Sequence, residues 1–455
     1  MKRILFALAA TSMLAGCAQL GIGGGKKPTT PTVGQRVAVL TGESDVEVDP
    51  ALASTPVSVP GPVANADWPQ PGGNASKSMV HVALADAPAR AFDVSIGRGS
   101  TRRGRLAASP VVAGGRVYTI DTTATLRATD AATGGAVWTA RVGSEEDLKG
   151  GTSIWTGEAT GNTGILFGGG VSFDGGRVYA TNGLGDVAAF NAETGEQVWR
   201  VRPGGPLRGS PTIANDNVYV VSQDSQLFAL NPADGSLRWT AVGTLETAGV
   251  FGNAAPAASQ GTVVAGYSSG ELTAYRYENA RVLWQEALTR TSISTAVASL
   301  SDIDAHPVID GGRVYAIGQG GRMVATELAT GQRVWEINVA GISTPWVAGD
   351  WIFVVTDEAQ LLAVARTTGR VRWMTQLKRY RDEKDRKGQI FWKGPILAGN
   401  RLVLGNSEGE LVYASPFDGT VQGMVDTKRP ITLAPVVADG AVYILHDDGH
   451  LTAWR

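Results

Sequence analysis

Few residues in this chain have the type and spacing to do chemistry. His446, Asp447, Asp448, Gly449 and His450 bring two imidazoles and two carboxylates within five positions. On a helix, His at i and i+4 would share a face and could ligate zinc. The flanking runs alternate like strands and Asp-Asp-Gly is turn chemistry, so a solvated turn is expected and no metal is assigned. His81 and His306 have no companion at ligand spacing. Cys17 is the sole cysteine, which excludes an intrachain disulfide framework and any Cys-rich zinc or iron–sulfur site. Gly168-Gly169-Gly170 is followed by neither a phosphate-loop Lys nor a helix signal, so nucleotide binding is not indicated. The run from Lys378 to Lys387 is the one dense cluster of charge. It fits a solvated connection between Trp373 and Pro395, with anionic headgroups or an acidic partner surface as functional alternatives. Its interleaved acids argue against nucleic acid. No catalytic residue is assigned, and the chain is expected to act by binding.

Composition agrees. The 40 basic and 42 acidic residues nearly cancel, which offers no electrostatic footprint for nucleic acid. Glycine, at 59 of 455 residues, is well above the ~7% usual in proteins, as expected of a fold rich in tight turns.

What positions these residues is a repeat. Tyr118 and Trp138, Tyr179 and Trp199, Tyr219 and Trp239, Tyr315 and Trp335 are each 20 residues apart. Val264 and Trp284, Phe353 and Trp373 keep that interval of 20, and so do Val403 and Gly423, where the Trp is gone. An eighth copy runs from Ala434-Pro435 through Val442-Tyr443 to Leu451-Thr452-Ala453-Trp454. The distance between copies varies from 38 to 61 residues while the internal ruler stays fixed. Strands that must stay in register behave this way, and only their connections vary. Alternation such as Arg116-Val117-Tyr118-Thr119-Ile120 is strand-like, and Thr-Gly or Asp-Gly at the tip is hairpin chemistry. The copy at Asn279-Ala280 lacks the Gly, and Asn is expected to take the left-handed conformation there.

Four short strands recurring every 40–50 residues indicate an all-β, eight-bladed propeller of four-stranded antiparallel blades. In a radial array, residues near the axis must be small and outer ones must fill a widening gap. Trp138, Trp199, Trp239, Trp284, Trp335 and Trp373 are therefore expected to pack between blades, each burying ~200 Å². The eighth copy stops after its third strand. The alternating segment Ala89 to Ile96, with Phe92 suited to the Trp slot, is expected to complete it and remove an exposed edge.

The N-terminus reads as an address. Lys2 and Arg3 precede the apolar run Ile4 to Ala10, and Leu14-Ala15-Gly16-Cys17 closes the segment. That tetrapeptide resembles the bacterial lipobox, which implies removal of residues 1–16 and acylation of Cys17. Ala18 follows where many bacteria place an Asp to retain lipoproteins in the inner membrane. Anchoring on the periplasmic side of the outer membrane is therefore expected. Residues 17–65, rich in Gly and Pro, read as a flexible tether, and 66–455 as the propeller.

The Ala-x-Asp-x-x-Thr-Gly-x-x-x-Trp pattern of the repeat resembles the tryptophan-docking blades of PQQ-type propellers. With the lipobox, the tether, Asp67-Trp68-Pro69-Gln70-Pro71-Gly72-Gly73 and Leu300-Ser301-Asp302-Ile303-Asp304, the chain resembles the BamB family of outer-membrane β-barrel assembly (BAM) lipoproteins. The resemblance implies a non-enzymatic scaffold whose only added group is the lipid on Cys17. It implies binding to the POTRA domains of BamA, to other BAM components and to unfolded outer-membrane proteins, with strand addition as one mode. It places the BamA contact at Ala248, Val250, Phe251, Asp302 and Asp304, with Phe251 where an Arg is usual. On that reading, replacing Asp302 and Asp304 weakens BamA binding and leaves the melting temperature nearly unchanged. Two alternatives stand beside it. One is a propeller serving another envelope complex, such as polysaccharide export. The other is a PQQ-dependent dehydrogenase, whose resemblance brings an adjacent-cysteine disulfide, a calcium site and a catalytic Asp. Cys17 alone rules out that disulfide, and no residues match the calcium ligands.

Overall fold

The computed structural model describes residues 46–102, 104–144, 168–245, 254–289 and 301–455, with the backbone of 151–152 and 159–160. Eight four-stranded antiparallel sheets account for almost all of it. Blade 1 comprises Val111–Ala113, Arg116–Ile120, Thr125–Asp130 and Ala136–Arg141, here strands a to d from the axis outward. Blades 2 to 7 span 169–201, 212–242, 257–287, 308–337, 346–376 and 392–426 in the same order.

The twenty-residue ruler has a direct structural meaning. Tyr118 on strand b pairs with Ala128 on strand c, and Ala128 pairs with Trp138 on strand d. The same ladder recurs as Tyr219–Ala229–Trp239 and Phe353–Ala363–Trp373. In each, strand d bulges at the residue just before the Trp, which fixes the register against slippage.

Blade 8 is closed as its alternation implied. Arg90–Ser95 adds as strand d beside His450–Trp454, and Phe92 faces Ala453, which faces Tyr443. Phe92 thus occupies the position that Trp holds elsewhere. Asp93 ties the seam with His450 Nδ1 at 2.7 Å and Arg429 at 3.4 Å.

At one hairpin tip the sequence reading needs correction. Ala280, not Asn279, takes the left-handed conformation, with φ of 59°. The carboxamide Oδ1 of Asn279 accepts from the Arg281 N–H instead. Counting from the strand c alanine, Ala280 stands where Gly235 stands one blade earlier, so the tip geometry is kept at the expense of strain.

The described part of the proposed tether is also not free. Asp49 N–H bonds to the Val371 carbonyl at 2.8 Å, and the Asp49 carboxylate meets Arg370 at 2.9 Å. Val57 is buried, and the Pro60 carbonyl lies 2.6 Å from His81 Nδ1. Residues 46–65 therefore run along blade 6 and reach blade 8 at Asn65, exchanging Pro-rich flexibility for backbone hydrogen bonds.

Candidate functional site

Each of the six repeat tryptophans reaches the next blade. The indole N–H of Trp138 donates to the Ala192 carbonyl at 3.0 Å, Trp199 to Pro232 at 2.9 Å and Trp239 to Tyr277 at 2.8 Å. Trp284 donates to Leu328 at 2.8 Å, Trp335 to Arg366 at 2.8 Å and Trp373 to Pro416 at 3.1 Å. The acceptor always lies three residues beyond the strand c position that faces the next blade's own Trp slot. For five of the six a tip glycine three residues further on seats under the same ring, and for Trp239 that position is Ala280. Gly235 has φ of +75°, and a Cβ there would fall 2.7 Å from Trp199 Cε3. So the tip Gly is required twice, by its own backbone and by the neighbouring blade's indole.

A second positioning device was not visible in the sequence. Residues 65–82 run once around the axis and bond the innermost strand, or the turn after it, in every blade. Asn65 O accepts from Asp439 N–H in blade 8, and Trp68 exchanges two backbone bonds with Val112 in blade 1. Pro69 O accepts from Phe173 N–H in blade 2, Ala75 O from Ala258 in blade 4 and Ser76 O from Ile309 in blade 5. For blade 3 the buried Gln70 amide imitates a peptide, donating to Ile213 O and accepting from Ile213 N–H, both at 3.0 Å. Val80 O takes the Trp346 indole N–H at 2.7 Å in blade 6, and Val82 bonds Leu397 O and Gly399 N–H in blade 7. A propeller leaves the axial edge of each inner strand unpaired, and this hoop supplies the missing partners. The Asp67–Gly73 motif explains itself here. Asp67 caps Gly114 N–H, Trp68 stacks on Trp346 at 6.0 Å, and Gly72 and Gly73 turn the chain where a Cβ would strike Lys77 and Met79.

The third device is a buried charge cluster. Arg208 lies 3.7 Å from Asp302 and 3.3 Å from Asp304, and all three are buried. The Gln319 side-chain amide donates to the other Asp304 oxygen at 3.1 Å. Burial pushes the Asp304 carboxyl up to about 6, against the pull of Arg208. The expectation that both aspartates could be replaced at little cost to stability does not fit this arrangement. They hold the blade 4–5 connection from beneath; they are not presented at its surface. Ala248, Val250, Phe251 and Cys17 lie outside the described residues.

The remaining sequence candidates resolve simply. His446 Nε2 bonds Thr452 Oγ1 at 2.8 Å within blade 8, while His450 serves the seam. Among the described residues, no group of three or more His, Cys, Asp or Glu converges to hold a metal ion. The charged run 378–387 forms part of an exposed hairpin, Tyr380–Asp382 against Lys387–Gln389, with Arg381 on Glu408 at 2.7 Å. Arg208 and Lys77 carried no sequence signal, and Gln70 stood only as a member of the Asp67–Gly73 motif, because their partners lie far along the chain.

Strand direction divides the ring into two faces. The a–b and c–d turns share one, which also carries residues 46–65. The b–c turns and the connections between blades share the other, which bears 301–307 and the charged hairpin.

These features define a closed, tryptophan-docked β-propeller. A family model described as "Outer membrane protein assembly factor BamB" matches residues 144–375, just over half of the chain, and the chain belongs to that family. The BamB of Moranella endobia (strain PCIT) is 25% identical over 344 residues, covering 76% of this chain and 84% of its own. The crystal structure of BamB from Moraxella catarrhalis superposes with a TM-score of 0.67 at 17% identity, covering 81% of this chain and 100% of that one. The quinohemoprotein alcohol dehydrogenase from Comamonas testosteroni superposes at 0.64 with 13% identity, over 85% of this chain and 80% of its own, a likeness of fold alone.

Proposed function

We propose that this protein is a non-enzymatic scaffold of the outer-membrane β-barrel assembly machinery, held at the periplasmic face of the outer membrane by a lipid on Cys17. It binds the POTRA domains of BamA and helps unfolded outer-membrane proteins reach the insertase. The family match across 144–375 carries the reading. The two-faced ring supports it, since the face bearing the blade connections is free of residues 46–65. On this reading the BamA contact involves Ala248, Val250 and Phe251, and Asp302 and Asp304 act with Arg208 to set the second connection. Extended clients have outer strand edges to pair with, and Leu237, Val242 and Leu245 at the edge of blade 3 are 55%, 72% and 63% exposed.

The test is co-purification in mild detergent, with photo-crosslinkers at Phe251 and Ser301 and mass spectrometry of the adducts. BamA in both adducts is the expected result. A polysaccharide exporter or synthase in its place would refute the assignment.

A further inference from the structure

The axial cavity itself has an unexplained chemistry. Its walls include Lys77 from the hoop, His306 and Asp304 from the blade 4–5 connection, and Lys393 from blade 7. Lys77 is 2% exposed, and its one side-chain bond runs to Thr212 Oγ1 at 3.0 Å. That hydroxyl already donates to Pro256 O, so it offers Lys77 an acceptor and no charge. Among the described residues no carboxylate stands within ion-pair distance of Lys77 or Lys393. Asp304 and Asp357 act on Lys393 through space without touching it, and Asp304 is shared with Arg208 and the Gln319 amide, so Lys77 is the ammonium left without a counter-charge. The His306 ring accepts from Ala255 N–H at its Nδ1, at 2.9 Å, which leaves the neutral ring's proton on Nε2. An ammonium buried without a counter-charge is costly, and it is found paired or neutralised.

We propose that this axial cavity binds a small monocarboxylate of the formate or acetate class, with Lys77 and Lys393 as its cationic ligands and the His306 Nε2–H as a third donor. The volume of about 100 Å³, where roughly 10–15 Å³ holds a water, admits a small anion with some water beside it. Asp304 forms one wall and repels a second negative charge, so a dianion such as phosphate is disfavoured. The stacked rings of Trp68 and Trp346 close the apolar side. The site does not depend on the assembly role and stands or falls separately.

Titration follows from the same geometry. Burial holds Lys77 down to about 7, with His306, Lys393 and Asp304 as the charged or titratable groups around the cavity and Asp357 acting on Lys393. A bound anion raises the Lys77 value, so binding at pH 7.5 takes up part of a proton and weakens as pH rises.

Isothermal titration of the full chain with sodium acetate, sodium formate and sodium phosphate tests this, at fixed ionic strength and in two buffers of different ionisation heat. Acetate or formate should bind one site in the millimolar range with proton uptake. Lys77→Met and Lys393→Met should each weaken binding about tenfold or more. No saturable carboxylate heat, undiminished affinity in both variants, or tighter binding of phosphate would overturn the proposal. Should a variant fail to melt cooperatively, wild-type proton uptake decides, and zero uptake refutes the site.

Discussion

Replacing Arg208 with Met tests whether the blade 4–5 connection rests on buried charge. Asp302 is fully buried and Asp304 nearly so, and Arg208 is the cation within reach of both. Removing one member of a buried ion cluster strands the others without solvent, at a cost of about 3–5 kcal/mol. For a unit of roughly 400 residues the unfolding entropy is about 0.8 kcal/mol per degree, so the melting temperature should fall by about 4–6 °C. The sign with pH follows from the carboxyls. Asp304 is already raised above its unfolded value, so its contribution is fully present below pH 3.8 and lost as pH rises through about 6. Without Arg208 the Asp304 carboxyl rises further, and the deficit should be larger at pH 8 than at pH 5. Calorimetry at the two pH values, with BamA co-purification from the same preparations, reads both effects. A melting temperature unchanged within about 1 °C at pH 8 would show that the cluster supports nothing.

Other expectations concern the ring. Gly235→Ala should cost about 2–4 kcal/mol in denaturant melts, combining a left-handed alanine with a methyl against Trp199, whereas Ala280→Gly should stabilise by up to about 1 kcal/mol. Phe92→Ala should destabilise by about 3–5 kcal/mol, and deletion of 88–97 should give an insoluble or openly unstable chain; cooperative melting of the deletion would contradict the closure. Gln70→Ala strands both polar groups of Ile213 and should lower stability by about 1–3 kcal/mol, visible as faster amide exchange in blade 3.

The blades were legible in the sequence because their determinants are local. A strand b aromatic, a strand c alanine and a strand d Trp lie within 20 residues, and a fixed interval survives any length of connection. Phe92 could be placed because its alternation matched a slot that the repeat left empty. The hoop was not legible, since its contacts join residues 65–82 to eight distant blades, mostly through backbone atoms that leave no compositional mark. The same holds for the charge cluster. Asp302 and Asp304 stood out as a pair, but Arg208 is nearly a hundred residues away, and without it two acids read as a surface patch. Ala280 shows a further limit, because the tip conformation is set by position in the hairpin and overrides the residue's own preference.

Blade 7 departs from the repeat for a reason that only the closure reveals. Its ladder reads Val403–Tyr413–Gly423, so the bulk sits on strand c and strand d has none. Elsewhere the strand d Trp bonds to, and packs on, the hairpin tip joining strands c and d of the next blade. Blade 8 takes strand c from His450–Trp454 and strand d from Arg90–Ser95, so no such tip joins them. A Trp at 423 would have neither the carbonyl to receive its N–H nor the glycine to lie on. Tyr413, buried beneath the Arg401 guanidinium at 4.8 Å, fills the space from the inside instead. Tyr413→Ala should therefore cost about 3–5 kcal/mol, and Gly423→Trp should not offset it in the double variant, measured as a double-mutant cycle in denaturant. Full recovery in the double variant would mean that the indole finds a docking site without a hairpin tip, and the closure would then not explain the missing Trp.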